Sequence, residues 1–533
     1  MCQVEVDDIR GKDFLLKRTY ECEEKDMNNE TTKQQVDERL EAVYNDKKFF
    51  GHPRGLGALA AGNFFNSFAW GGVYAILIYY LYSPYTKGLG FTQGEAASMI
   101  AAMGACNSLF VIVGSWLSDR VLGPRKALVV GNVVKAISFG LLAVPAFSLT
   151  QGRVFAVISL ILMSLPIMGA SNSSMTGLMY RSDDDGRRDA AFTIHNVANT
   201  ITGMISPILV GFIGMSDYHL GFFLSALAAL AYGLVILFTG KRFFGPIGEK
   251  PANPVSKEEL KKALGLFFAV VLIVVAIILV TVKMGVMNFD GVLNIITTFS
   301  FVIPIIFLFK MYTNKNITRE EHSKMLPFVK IWCIQCVVAV TGVLLNTAMA
   351  VFIEAKVNRN FMGIEFAPAT FTSIYNLIGL IVATAFVYIW GSTKFGKLKV
   401  TKKFSIGIFI NAAAFAVLAV PVLTGGKTSL FSPLWVIAYY LILSFGDNFI
   451  NPIGISMTAK LAPKSYETQM QSAWSQTTSI ANGISIIIFK FLTTADQQMM
   501  IFPAMAVVLV ITACILIMMS KKIDEVIYGK FYI

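Results

Sequence analysis

The feature that most constrains this chain is a repeated one. Apolar stretches of about 20 residues or more, nearly free of charge, recur along almost its whole length. Each is long enough to cross a bilayer core of about 30 Å as a helix. They fall at about 56–82, 94–118, 127–148, 154–179, 189–214, 218–239, 264–284, 290–311, 327–354, 367–391, 404–424, 432–459, 469–494 and 498–519. These fourteen segments predict an all-α polytopic membrane protein. Strands of a membrane barrel would instead alternate apolar and polar residues. The 533 residues are 55% hydrophobic and only 15% charged, against about a quarter charged in soluble domains.

The net charge of +12 is no nucleic-acid footprint, because the basic residues are scattered through short loops. With the N-terminus inside, the loops "SDRVLGPRK", "YRSDDDGRRD", "GSTKFGKLKVTKK" and "KLAPKSYE" face the cytoplasm, and alternate loops such as "SLTQGR" and "TTADQQ" carry little Lys or Arg. The positive-inside bias thus places both termini in the cytoplasm, in the cell membrane. Residues 1–50 hold thirteen acidic and nine basic residues and read as a hydrophilic, partly disordered cytoplasmic extension. The six cysteines form no disulfide framework, and Cys333 and Cys336 read as small apolar fillers of a membrane helix. No phosphate-binding loop, zinc-protease motif or nucleophile elbow is present, so an enzyme, a cofactor and a metal site are not expected.

Polar residues inside the spans stand out. In "AGNFFNSFAWGGVYAILIYYLY" (61–82), Asn63, Asn66 and Ser67 share one helix face, and none can carry charge. Asp447 is a carboxylate in mid-span, which is costly unless it faces a cavity or a partner. Lys135 lies deep in the third span, and His195 lies on the fifth beside Asn196 and Asn199. A loop glycine and basic set, Gly114, Asp119, Arg120, Gly123, Arg125 and Lys126, follows the second span. A shorter version at 390–397 follows a span of the second half, hinting at two related halves around a central site.

The loop at 114–126 resembles the major facilitator signature between its second and third helices. "FFGHPRGLGAL", "RRDAAFTIHN", "NRNFMGIEFAPATFTS" and, most strongly, "LSFGDNFINPIGISMTAKLAPKSYETQMQSAW" (443–474) together resemble the proton-dependent oligopeptide transporter family. The resemblance runs from about residue 47 to the C-terminus. It implies two six-helix bundles plus two extra helices: an N-terminal bundle at 51–240, a linker with the extra helices at 241–325, a C-terminal bundle at 326–520 and a tail at 521–533. It implies secondary active transport of di- and tripeptides by alternating access, driven by protons, with the lipid bilayer as the surrounding partner and no nucleic acid.

The departures from the family matter as much. Its Glu-x-x-Glu-Arg-Phe motif falls on Asn63, Asn66 and Ser67, and its next arginine falls on Tyr74. Its fourth-helix lysine falls on Gly169, its fifth-helix asparagine on Thr200 beside Asn199, its seventh-helix glutamate on Val343, and its eighth-helix asparagine on Tyr375 beside Asn376. Asp447 stands where the family has a glutamate for the peptide's amino end, and Trp474 also matches. The expected substrate-binding set is therefore Asp447, Trp474, Asn63, Asn66, Tyr74, Asn199, Tyr375 and Asn376. Asp447, His195 and Lys135 are the proton-coupling candidates, and the loop from Gly114 to Lys126 is the gating element. The missing charges leave open a changed substrate, a non-peptide amine-bearing or neutral solute, or a transport-inactive sensor that keeps the fold.

Overall fold

The computed structural model describes residues 34–528 apart from 36, 169–170, 182–183, 252–253, 257, 260, 262–264, 266–288, 315–316, 362, 393–397, 426–429 and 462–466. The expected span at 264–284, and most of the second basic loop at 390–397, lie outside the described residues. The N-terminal half comprises α1 (Arg54–Tyr82), α2 (Gln93–Leu117), a π-helical turn (Ser118–Leu122), α3 (Pro124–Ala143), α4 (Leu149–Met163), α5 (Ser171–Leu178), α6 (Asp185–Ser216) and α7 (Tyr218–Phe243). Next comes α8 (Phe289–Tyr312). The C-terminal half comprises α9 (Arg319–Val338), α10 (Val340–Leu345), α11 (Ala348–Lys356), α12 (Thr370–Ser392), α13 (Val400–Thr424), α14 (Pro433–Leu461), α15 (Glu467–Phe491), α16 (Ala495–Met499) and α17 (Ile501–Tyr528). A two-residue hairpin (Asn360–Phe361 with Ile364–Glu365) precedes α12.

Among the described residues, nine helical stretches are long and apolar enough to cross a membrane, or ten if the bent α2 pair counts as one. Their outer faces carry the apolar side chains that lipid requires: Phe238, Phe309, Leu423 and Met518 are all exposed. The amphiphilic α15 falls short of that standard because its face toward α2 and α8 is polar and small. A span shielded by other helices does not need lipid-grade hydrophobicity.

Two expected spans are broken. The segment expected at 154–179 splits into α4 and α5, with Pro166 in the break. Proline has no N–H for the ladder, and it pushes the residue before it out of the α region. The segment expected at 327–354 divides into α9, α10 and α11, with Thr347 at φ −126° and ψ −95° in the second break.

Each half packs mainly on itself. In the first, α1 lies against α6 and α7, and α3 against α7 and α4; in the second, α13 lies against α14 and α17. The halves meet along two seams, α2 with α15 and α6 with α12. The extra helix α8 covers the first seam, touching both α15 and α2. Lys490 of α15 donates to the backbone oxygen of Asp290 (3.3 Å) and to the Asn294 side chain of α8.

Bonds between the halves concentrate toward the end remote from residues 54 and 528, here called the outer end. The Tyr82 hydroxyl donates to the Glu354 carboxylate, and the Tyr79 hydroxyl to the Ala350 carbonyl (3.3 Å). The Gly94 N–H donates to the Thr493 carbonyl at 3.2 Å. At the opposite end, residues 37–44 are helical and Val43 is buried. Asp46 pairs there with Arg54 at 2.9 Å, so this part of the N-terminal extension is docked.

Candidate functional site

The polar stripe of α1 is tied to three neighbouring helices. The Asn63 amide donates to Asn199 Oδ1 (2.8 Å) and to the His195 carbonyl (3.4 Å), both on α6. Its Oδ1 accepts from Asn172 of α5 at 3.1 Å. Ser67 also donates to Asn199. One turn on, Asn66 Oδ1 accepts from the Lys135 ammonium of α3. The asparagines are thus interhelical fasteners: Asn63 is satisfied by neutral partners and Asn66 by the Lys135 ammonium. Substituting neutral amides for a charge cluster removes the cost of burying ions in this low-dielectric region.

Lys135 is 7% exposed. Besides Asn66, its ammonium has Asn132 Oδ1 at 3.5 Å and lies 5.6 Å from the centre of the Trp70 ring. Trp70 stacks on Tyr74, with ring centres 5.6 Å apart. Lys135, Asn66, Trp70 and Tyr74 therefore form one group, although the family pattern places no lysine on the third helix. His195 is buried; its Nε2 lies 2.9 Å from Thr176 Oγ1, while its Nδ1 is buried with no hydrogen-bond partner.

The second group lies in the other half. Asp447 sits at the midpoint of α14, about 21 Å of helix from each end. Tyr375 of α12 donates to Asp447 Oδ2 (3.3 Å), and Asn411 of α13 donates to Oδ1 (3.1 Å). Among the described residues no cation lies within ion-pair distance of this carboxylate. Its half-buried carboxylate meets the Tyr375 hydroxyl, and the Tyr375 ring lies 5.2 Å from that of Tyr440. Asn376, the next residue, crosses to the first half and donates to the Gly203 carbonyl at 2.7 Å. It marks the level where the halves touch beside Asp447.

Local packing explains the position of Asn411. Gly407 and Gly446 let α13 and α14 approach backbone to backbone: a Cβ at Gly407 would lie 2.9 Å from the Gly446 carbonyl, and one at Gly446 would collide with Asn411 Oδ1. Gly446→Ala is expected to lower the thermal unfolding temperature by overpacking, costing about 1–3 kcal/mol. It should also turn the Asn411 amide away from Asp447. An unchanged melting curve in detergent would mean that the two helices are not in this contact.

Trp474 does not join Asp447. It is 9% exposed and packs at ring distances of 6.5 Å from Phe328 and 6.3 Å from Phe404, with Gly454 beneath it. Its apolar body fills the core of the second half two turns nearer the inner end. Cys333 is exposed and Cys336 buried, and both are free.

In the first turn of α3, just past the loop that follows α2, Arg125 is the clamp. Its guanidinium donates to the carbonyls of Gly240 (2.8 Å) and Gly245 (3.1 Å) at the end of α7, and lies 3.3 Å from Glu249. A cation suits a helix C-terminus, where carbonyls are left over. Gly123 adopts φ +79°, and a Cβ there would press on the backbone of Lys250. Gly114 is buried, Lys126 is exposed, and the Arg120 carbonyl accepts from the Val255 N–H at 3.1 Å. The Asp119 side chain lies outside the described residues.

Three participants were not singled out from the sequence. Asn172 and Asn411 are neutral and sit in runs of small residues. Glu354, in "AVFIEAK", carries the same signal as Asp447, an acid in an apolar run.

The geometry can be set beside known proteins. A family model described as "POT family" matches residues 125–508. The chain belongs to the POT family. It is 30% identical to the uncharacterized transporter YclF of Bacillus subtilis (strain 168), over 91% of this chain and 96% of that one. It is 29% identical to a di-/tripeptide transporter of Lactococcus lactis subsp. cremoris, over 90% and 97%. Among solved structures, a POT family transporter in complex with 5-aminolevulinic acid is 29% identical, with a TM-score of 0.83 over 92% of this chain and 99% of that one. The peptide transporter POT in complex with sulfate is 26% identical, with a TM-score of 0.86 over 93% and 99%. The all-α major facilitator fold of the POT transporters is therefore the fold of this chain.

Proposed function

We propose that this chain is a secondary carrier of di- and tripeptides that works by alternating access, with Asp447 as the anchor of the peptide ammonium. The chain is a transporter and not an enzyme. The observation that carries the substrate reading is the state of Asp447: a mid-span carboxylate held by two neutral donors, with no cation beside it among the described residues. Such a charge is costly unless it meets a counter-ion. The ammonium of a small amine-bearing solute supplies one, and Tyr375, which donates to the carboxylate, offers a ring face beside it. The di-/tripeptide transporter from Lactococcus and the 5-aminolevulinic acid complex, which holds an amine-bearing ligand, support the same class.

Asn63, Asn66, Asn199, Tyr74 and Asn376 line the facing side of the first half and the junction in this reading. The Arg125 clamp keeps the α2–α3 loop fixed to the end of α7 while the halves move. In this reading both termini lie in the cytoplasm of a cell-membrane carrier, which the basic loops support. Proton coupling rests on Asp447, His195 and Lys135, since helix α1 has no titrating side chain at positions 63, 66 and 67.

Uptake of labelled dialanine by the purified chain in liposomes tests the proposal. Accumulation should be competed by unlabelled di- and tripeptides and driven by an inwardly directed acid gradient. Uptake indifferent to both peptide competitors and the gradient would remove the proton–peptide assignment.

A further inference from the structure

We infer that Lys135 is the group of the N-terminal half that receives a substrate carboxylate, so that the favoured cargo carries a free carboxylate as well as an amine. This deepens the peptide-carrier reading and rests on it. Between residues 54 and 243 the acidic residues are Glu95, Asp119, Asp183, Asp184, Asp185, Asp189 and Asp217, and those among the described residues lie in loops, in the π-helical turn or in the first two turns of a helix. None lies at the depth of Lys135, which is about 16 Å of helix from the start of α3 and about 12 Å from its end. That is too deep for the side chain to behave as an end-of-helix lysine reaching for the headgroups.

An ammonium has three donors and wants acceptors for all of them. Those it has here are neutral: Asn66 Oδ1, Asn132 Oδ1 at a marginal 3.5 Å, and the face of Trp70. No carboxylate lies within ion-pair distance among the described residues. A buried cation with only neutral partners is an incomplete electrostatic unit.

The group is not sealed in the core. Asn66, Ser67, Trp70 and Tyr74 are half-exposed and Asn199 is exposed, so the ammonium lies one side chain behind an open face. The mirror situation holds in the other half, where Asp447 is a mid-span anion with neutral partners. Two unmatched charges of opposite sign, one per half, are completed together by a ligand bearing both an amine and a carboxylate. A neutral amine would complete only one of them. Capture of the carboxylate by Lys135 frees Asn66 and re-forms a contact between α1 and α3 through the cargo, which links binding to helix packing.

The test compares dialanine, its C-terminal amide and propionyl-alanine, which lacks the amine, as ligands for the full chain in lipid nanodiscs. Wild type should prefer dialanine over the amide by about tenfold or more, the scale of a charge-assisted hydrogen bond. Lys135→Gln should abolish that preference while leaving affinity for the amide within about twofold, and Lys135→Arg should restore part of it. Equal weakening of both ligands in Lys135→Gln would overturn the inference and leave a packing role. So would a wild-type protein that does not distinguish acid from amide, a measurement that stands even if the glutamine variant fails to fold. Should propionyl-alanine bind as well as dialanine while the amide still binds poorly, the amine anchor at Asp447 fails and the carboxylate inference stands.

Discussion

Asp447→Asn is expected to reduce dialanine uptake by at least about tenfold without lowering thermal stability. A hydrogen bond or ion contact to a charged group is worth about 1.5–3 kcal/mol, which is about 10- to 150-fold in affinity. Asparagine keeps an oxygen for the Tyr375 hydroxyl or the Asn411 amide, so the local bonds at 3.3 and 3.1 Å have a substitute. It also removes a mid-span charge that no cation among the described residues offsets, so the unfolding temperature should hold or rise. Initial uptake rate and melting midpoint, taken on one preparation, check both halves of the expectation. Unchanged uptake would sink the anchor assignment, and a large loss of stability would make Asp447 a structural residue instead.

Tyr82→Phe is expected to open the outer end. The Tyr82–Glu354 bond joins α1 to α11 across the two halves, beside the Tyr79–Ala350 bond. Its removal leaves Glu354 without the phenol and should shift the closed–open balance by about 1–3 kcal/mol, about 5- to 150-fold. A cysteine at Ala369, which is 2% exposed and packs against Gly211 at the α6–α12 seam, reports on that shift. In a background without the native cysteines, an impermeant maleimide added from outside should label Ala369→Cys faster once Tyr82 is phenylalanine. Glu354→Gln, which keeps an acceptor for the phenol, should have the smaller effect. Identical labelling rates in all three backgrounds would show that this bond does not hold the outer end shut.

How much of this is visible in the sequence depends on how local each determinant is. The spans are legible because lipid demands continuous apolar surface: thirteen of the fourteen expected segments contain helix in the described residues, two of them interrupted, and nine or ten helical stretches are long and apolar enough to cross. The breaks at Pro166 and Thr347 are less so, since a membrane helix can absorb a proline or a threonine when its neighbours satisfy the freed groups. Asp447 and the α1 asparagines announce themselves as polar residues in apolar runs. Their partners do not: Lys135 meets Asn66 from 69 positions away, and Glu354 meets Tyr82 from 272. Those meetings depend on which helices are neighbours and on their rotation. The resemblance, which put no lysine on the third helix, pointed away from the first of them. Trp474 shows the converse, a family match whose ring serves packing here.

The roofing of one seam by α8 makes the two sides of the carrier mechanically unequal. Because α8 grips α15 through Lys490 and also touches α2, that flank behaves as a bound spine, like the back of a book. The α6–α12 flank has no such cover among the described residues and is the fore-edge, where the larger displacement must fall as the lobes exchange orientation. Acyl chains seeking the interior would find their way through the fore-edge rather than the spine.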